Sequence, residues 1–488
     1  MKMKTICGIA GAFITLLAIS SCKKTTVSKQ VSISNITDTI PAGGGTKPLS
    51  FTYNGKWSID TTNIGWLKLS QVSGNSGDAT ITLTAPANTS GISRTVLLQL
   101  NTADGQARRI TVLQAPVIFI SYNTSPKAPD ATGMGSTAKQ INSSIKLGMN
   151  IWNTLEAPGG ETGWGNPVIT QTLIDTLKKA GFNAIRLPCN WYAHSNRTTG
   201  QIDAAWLDRV KQVVQYCIND GMYVLLNDHY DNGFLECKAT GAKLDTVKAI
   251  QKAVWEQVAT TMRDFDEHLI LASANEPDAD DLTSSTNLYA YHQIFINAVR
   301  STGGKNAYRT LVLQAPSTSL DLANYFAPDG LPGLPKDQVP DKLILEFHWY
   351  SPPNFCILGD DASWGKEWRY WGANFHSLTD TAHNSNPAFE EAYMERNMQW
   401  AKKSFVDKNI PVLIGEFGVQ YHADDLVGHP ADSLLSLTST AHFFGHMVRS
   451  ARANGVPAFL WAGVINRQTE TIEDKRALDS LRAGAGLK

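Results

Sequence analysis

Cysteine is scarce: six in 488 residues, none in a CxxC or other spacing that would gather a metal. HExxH is missing, which excludes the helix-borne zinc hydrolases, and GxSxG is missing, which excludes serine hydrolases built on a nucleophile elbow. Neither sign of charge is in excess. Lysine and arginine number 43 against 44 acidic residues, so the formal net charge of −1 calls for neither nucleic acid nor an anionic membrane surface as partner. No apolar run reaches the roughly 20 residues that span a bilayer. What is present is an ordinary globular composition, 42% hydrophobic and 18% charged, long enough for one large domain and a small one. The 13 tryptophans stand out, because indole faces suit flat, partly apolar ligands such as sugar rings as well as core packing.

The first residues read as a targeting segment. Lys2 and Lys4 precede a short apolar stretch from Gly8 to Ile19, and Ile19-Ser20-Ser21-Cys22 resembles a bacterial lipobox. That resemblance implies a signal peptide over 1–21, a lipid on Cys22, and an outer-membrane lipoprotein of the cell envelope tethered to the membrane by this anchor. Lys23 and Lys24 replace the acidic residues associated with surface display, so the periplasmic and the cell-surface side both stay open. Cys7 leaves with the signal. Cys189, Cys217, Cys237 and Cys356 remain, and buried free thiols are expected.

From Val27 to Val117 no helical periodicity occurs. Short alternating runs (VSISNI, LSFTYN, ATITLT, RTVLLQL, RITVLQ) separated by turns such as Gly43-Gly44-Gly45 predict a small all-β, immunoglobulin-like sandwich, with Trp57 and Trp66 split between core and surface. The segment resembles the BACON domain through Trp57, Trp66, Ser73-Gly74, Asn88, Arg94 and Val112-Leu113-Gln114. That resemblance implies either sugar binding or a spacer, and the spacer is favoured. Residues 118–144, rich in Ser, Thr, Pro, Gly and Asn, are expected to be a linker.

From 145 to 488 helices alternate with apolar strands. TQTLIDTLKKAG leads into FNAIRLP, AWLDRVKQVVQYCINDG into MYVLLND, MQWAKKSFVDKN into IPVLIGE, and TSTAHFFGHMVRSARANG into VPAFLWA, each helix closing on Gly or Asn. Trp206, Val210, Val213, Val214 and Cys217 share one helical face, so that helix must lie on a sheet. Eight candidate strands, around Lys146, Ala184, Val224, Leu271, Val312, Leu345, Leu413 and Phe459, predict a (β/α)8 TIM barrel, with a doubly wound sheet as the alternative.

In a barrel the C-terminal ends of all strands line one mouth. Read in order they carry Arg186; Asn227, Asp228 and His229; Asn275 and Glu276; His348 and Tyr350; Glu416; and Trp461. A strand-end carboxylate can be a cap or an ion-pair partner, but two with hydrogen-bonding neighbours and an aromatic plate suit glycosidic hydrolysis. One carboxyl protonates the departing oxygen while the other attacks the anomeric carbon if the two stand about 5–5.5 Å apart. A gap of roughly 6.5–9.5 Å would admit water and invert the product.

Residues 145–488 resemble glycoside hydrolase family 5 through Arg186, His229, Asn275, Glu276, His348, Tyr350, Glu416 and Trp461. The opening LGMNIWNTLEAPGGETGWGNP is similar to the branch holding endoglucanases, xyloglucanases and mixed-linkage glucanases. The resemblance implies a retaining endo-β-1,4-glucanase, with other β-glycans (xyloglucan, mixed-linkage glucan, mannan) or a tethered glycan-binding protein as alternatives. Glu276 would be the acid/base, its pKa raised by Glu416, and Glu416 the nucleophile, held by Arg186 and Tyr350. Asn275 would hold a sugar 2-hydroxyl, Trp461 would stack on the ring nearest the cut, and His229 and His348 would complete a wall of substrate contacts. The partner implied is a β-glucan, with no cofactor and no metal, and a monomer is expected. Trp152, Tyr230 and Ala462 depart from the family pattern and bear on sugar subsites. The loop 352–375, with Trp364, Trp368 and Trp371, is either a further sugar platform or a small local core.

Overall fold

The apolar strands and one-sided helices of the larger segment close, in the computed structural model, into an eight-stranded parallel barrel. The structure describes residues 30–86, 88, 93–116, 120–196, 199–230 and 234–487, and divides into two units after Val117. The signal-like segment and Cys22 lie outside the described residues.

The barrel strands are β1 (Gly148–Asn150), β2 (Ala184–Leu187), β3 (Tyr223–Leu226), β4 (Leu269–Ala272), β5 (Leu311–Ser319), β6 (Leu343–Trp349), β7 (Val412–Phe417) and β8 (Ala458–Leu460). Each pairs in parallel with its successor, and β8 closes on β1. The helices longer than one turn are α1 (Ala138–Ser144), α2 (Gln171–Ala180), α3 (Ala204–Asn219), α4 (Gly241–Met262), α5 (Leu282–Ser301), α6 (Glu391–Ser404), α7 (Pro430–Ala453) and α8 (Lys475–Gly484). One connection departs from the alternation. Between β5 and β6 the chain makes only a short 3-10 turn, Ala323–Phe326.

Local chemistry sets the helix limits. The Thr170 side chain accepts the Leu173 amide to start α2, and Gly181, at φ 107°, ends it in a left-handed conformation that a side chain would resist. On α3, Trp206, Val210, Val213, Val214 and Cys217 are all buried, as their spacing predicts. Burying each is worth about 1.5–3 kcal/mol, so a charge at Val213 would detach this helix from the sheet. Inside the barrel, Ala184, Leu225, Ile270, Val312, Ile344, Leu413 and Phe459 pack together. Gly148 is obligatory there, because a Cβ would stand 2.3 Å from the Phe459 ring.

The expected linker does not run free. Within it, α1 carries Ala138 and Ile141 into the barrel's inner cluster, and Ile145 follows them. Upstream, the Ser121 hydroxyl and Tyr122 amide bond to Glu256, and Ser136 bonds to Glu267. Lys342 Nζ donates to the carbonyls of Met134 and Ser136. Hydrogen bonds to side chains distant in the sequence, which leave no periodicity, hold this segment against the barrel.

The N-terminal unit is a two-sheet β structure, one sheet of four strands and one of five. Ile40, Leu49, Phe51, Trp57, Ile81, Leu98 and Ile110 fill its core. Trp57 is buried edge-on to Phe51 at 4.8 Å, and Gly74 leaves room for its indole. Trp66 is half-buried beneath the Arg94 guanidinium, 4.3 Å above the ring, and Arg94 is fixed by Gln114 Oε1.

Candidate active site

The strand ends predicted from sequence meet at one mouth. An open cleft of about 1100 Å³ is lined by His229, Asn275, Glu276, Tyr350, Glu416 and Trp461, together with Asp228, Tyr230, Leu235, Glu236, Asp278, Ile357 and Gln420. One carboxylate oxygen of Glu276, one of Glu416 and a His348 ring nitrogen all lie within 4.8 Å of one another.

Arg186 organises the floor. Its side chain is wholly buried; Nη1 donates to Glu416 Oε1 at 2.8 Å and Asn150 Oδ1 at 3.0 Å. Nη2 donates to Asn275 Oδ1 at 2.8 Å and lies 3.0 Å from Glu346 Oε1. Burial disfavours the guanidinium, but the charges of Glu346 and Glu416 outweigh it and its pKa is raised. The Tyr350 hydroxyl donates to the other oxygen of Glu416 at 2.9 Å. Burial, then the charge of Glu416, pushes the Tyr350 pKa well up, so it stays a donor. With Asn275 Oδ1 committed to Arg186, its Nδ2 is what the amide can offer a sugar hydroxyl.

His348 stands across the strand register from Glu416 and touches three carboxylates. Nδ1 is 2.7 Å from Glu276 Oε1 and 3.6 Å from Glu416 Oε2, and Nε2 is 3.2 Å from Glu346 Oε1. Burial would lower its pKa, but Glu416, Glu276 and Glu346 together push it up to about 9. Glu276 moves the other way. Desolvation raises its pKa, yet the hydrogen bond and charge of His348, with Arg186 behind, leave it below the ordinary value. The expectation that Glu416 raises Glu276 is therefore corrected: a protonated imidazole stands between them and reverses the sign. One proton is thus shared between His348 Nδ1 and Glu276 Oε1, and its apparent pKa belongs to the pair.

Neither Arg186 nor His348 is among the residues that line the cleft; Arg186 holds Glu416, and His348 bonds to Glu276. His229 is buried and stacks with Trp461 at 5.6 Å and with Tyr230 at 5.2 Å. Burial, then Arg186 and His348, holds its pKa well below the imidazole range, so it is neutral. In the loop 352–375, Trp371 is fully buried and Trp368 packs on the core. Trp364 is exposed but does not line the cleft. This loop is a local core that presents Ile357 to the cleft. Cys189, Cys217, Cys237 and Cys356 are free and buried, as expected.

Sequence reading missed Asn150, Gln314 and Glu346. Glu346 is wholly buried two residues before His348, on the same face of β6, and accepts from Gln314 Nε2 at 2.6 Å. Gly415 makes room for it, since a Cβ there would stand 1.8 Å from Glu346 Oε1. A polar residue interrupting an apolar strand at even spacing from the strand end was the available signal. Glu276, His348 and Glu416 also have the spacing of cation ligands, but Arg186 and the imidazolium put positive charge where a cation would sit. That set fits proton and carboxylate chemistry.

Comparison with known proteins agrees with this geometry. Residues 145–466 match the family model for cellulase (glycosyl hydrolase family 5), and residues 20–116 match that described as the viral BACON domain. A xyloglucan-specific endo-beta-1,4-glucanase of Bacteroides ovatus is 30% identical over 440 residues, covering 86% of this chain and 83% of its own. The solved structure of a Bacteroides ovatus GH5 xyloglucanase with a XXXG heptasaccharide superposes with a TM-score of 0.67 at 27% identity, covering 94% of this chain and 100% of that one. A GH5 xyloglucan-specific beta-1,4-glucanase from a ruminal metagenomic library, bound to XXLG, gives 0.64 at 34% identity, covering 72% and 96%. A barrel with two carboxylates converging at the ends of β4 and β7, together with a family match that spans it, leads to one conclusion: this chain belongs to glycosyl hydrolase family 5.

Proposed function

We propose that the chain is a retaining endo-β-1,4-glucanase that cuts internal bonds of a plant cell-wall β-glucan by double displacement. The observation that carries this is the approach of Glu276 and Glu416 to within 4.8 Å, oxygen to oxygen, over a fixed cationic floor. That gap suits direct attack and leaves no room for an intervening water. Glu416, clamped by Arg186 and Tyr350, attacks the anomeric carbon as the glycosidic oxygen takes a proton from Glu276. His348 holds that proton 2.7 Å from Glu276 Oε1 until it is needed. Water then releases the glycosyl group, with Glu276 as base. Asn275 Nδ2 binds a hydroxyl of the reacting sugar, and Trp461 supports its ring.

A xyloglucan substrate is the second reading, supported by the relative from Bacteroides ovatus, which matches both units of this chain and is named for xyloglucan. The N-terminal unit serves as a spacer, since Trp57 is core and Trp66 is covered by Arg94. The chain acts as a monomer anchored to the outer membrane through Cys22. Metabolic labelling with a fatty acid, lost in Cys22→Ser, is the expected sign of that anchor.

A panel of cellulosic glucan, mixed-linkage glucan, xyloglucan and mannan tests the assignment. Release of reducing ends with a rapid fall in viscosity is expected on the β-glucans. Glu416→Ala and Glu276→Ala should each lower turnover about 10^4-fold or more. Cleavage that survives Glu416→Ala would belong to another mechanism, and activity confined to mannan would replace the substrate.

A further inference from the structure

One aromatic side chain in the cleft is not accounted for by packing. Tyr230 lies four residues beyond β3, next to His229, and its φ of 52° places a bulky residue in the left-handed region that glycine or asparagine reaches at less cost. The residue is 52% exposed, so burial offsets little of that strain. The position is nonetheless fixed. Its carbonyl accepts from the Nδ2 of wholly buried Asn190 at 2.5 Å, and Asn190 Oδ1 accepts from the Ala193 amide at 2.8 Å. Strain held in place at a ligand-facing residue, with no core to show for it, points to a contact made with substrate.

The surroundings say what kind of contact. Tyr230 lies along His229 at 26° between planes, and His229 along Trp461 at 19°. Trp164, 42% exposed on the loop after β1, meets Tyr230 at 5.0 Å and 77°, bracing the ring from the side. The wall is thus tiled with rings from Trp461 outward, and Tyr230 is its exposed outer tile. A flat aromatic face opening into a wet cleft takes the apolar face of a pyranose ring.

We propose that Tyr230, braced by Trp164, is a second sugar-binding platform, holding a pyranose unit that neighbours the one carried by Trp461. This rests on the glucanase reading above. Stacking reads the face of a ring and not its hydroxyls, so the platform serves bare and branched glucans alike.

The test uses the full chain with Tyr230→Ala, Tyr230→Phe and Trp164→Ala, assayed on a linear and a branched soluble β-glucan. Titration of cello-oligosaccharides into each protein by calorimetry runs alongside. Tyr230→Ala should raise KM about tenfold on both polymers, with a smaller change in kcat and matching loss of oligosaccharide affinity. Tyr230→Phe should keep KM within about twofold of the parent, and Trp164→Ala should shift it in the same direction as Tyr230→Ala by less. The proposal is overturned by an unchanged KM and affinity in Tyr230→Ala. It is equally overturned by a fall in kcat alone, which would make the ring a prop for His229, or by Tyr230→Phe behaving like Tyr230→Ala. If the parent chain cuts no β-glucan at all, the proposed function fails instead, while the calorimetric comparison still decides whether Tyr230 binds sugar.

Discussion

Two arginines are buried at opposite ends of the same barrel, and their partners differ. Arg309, just before β5 at the closed end, donates Nε to Asn306 Oδ1 at 2.6 Å. Its other nitrogens reach the carbonyls of Asp266, Leu269 and Phe265 at 2.6–2.8 Å. All these acceptors are neutral, and burial pushes its pKa down to about 9. Arg186, in β2 beneath the mouth, is just as buried but spends its donors on Glu416, Glu346, Asn150 and Asn275, and its pKa is raised. Burial of a charge therefore marks neither end as functional. Arg309 ties together backbone carbonyls between Phe265 and Leu269, whereas Arg186 holds Glu416, the proposed nucleophile.

That contrast can be broken by substitution. Arg186→Lys keeps the charge and loses the planar fork, so Glu416 and Asn275 can no longer be held together; kcat/KM should fall about 10^3-fold while the protein stays folded. An equal loss from Arg309→Lys would erase the distinction. Arg309→Met removes the guanidinium donor from several buried carbonyls and should lower unfolding free energy by about 3 kcal/mol in denaturant titration, with kcat of the folded fraction near that of the parent.

A subtler effect concerns pH. His348 has its pKa raised to about 9, so it stabilises the fold fully below the ordinary imidazole range, and that contribution is lost as pH climbs through about 9. Glu276, lowered, contributes above the ordinary carboxyl range and loses it as pH falls. Because the proton used in catalysis is shared by the two, the alkaline limb of kcat/KM should lie above neutrality. His348→Gln should move that limb down by about one pH unit or more. A limb that does not move would show that Glu276 holds its proton without help. The smallest effect belongs to Trp364, exposed and not among the residues lining the cleft: Trp364→Ala should change stability and KM by less than about 0.5 kcal/mol equivalent.

Much of this was legible in the sequence because strand ends and helix stripes are local patterns. Trp206 to Cys217 announced a one-sided helix, and Arg186, Glu276 and Glu416 stood where apolar strands stop. Glu346, Gln314 and Asn150 were harder, because they sit inside strands whose neighbours are apolar and only their alternation with His348 and the other strand-end residues betrays them. The segment from Ser121 to Ser144 looked unstructured because hydrogen bonds from Ser121 and Ser136 to distant glutamates leave no repeat. The sign of the Glu276 shift could not be read at all, since it depends on an imidazole 72 residues away lying 2.7 Å from the carboxyl.

The account rests on the separation of Glu276 and Glu416, and the stereochemistry of the first product reports that separation directly. Proton NMR in the first minutes of hydrolysis, before mutarotation, should show new reducing ends in the β configuration. New ends that appear first as α would mean that water, and not Glu416, attacks the sugar, and the double displacement would be wrong.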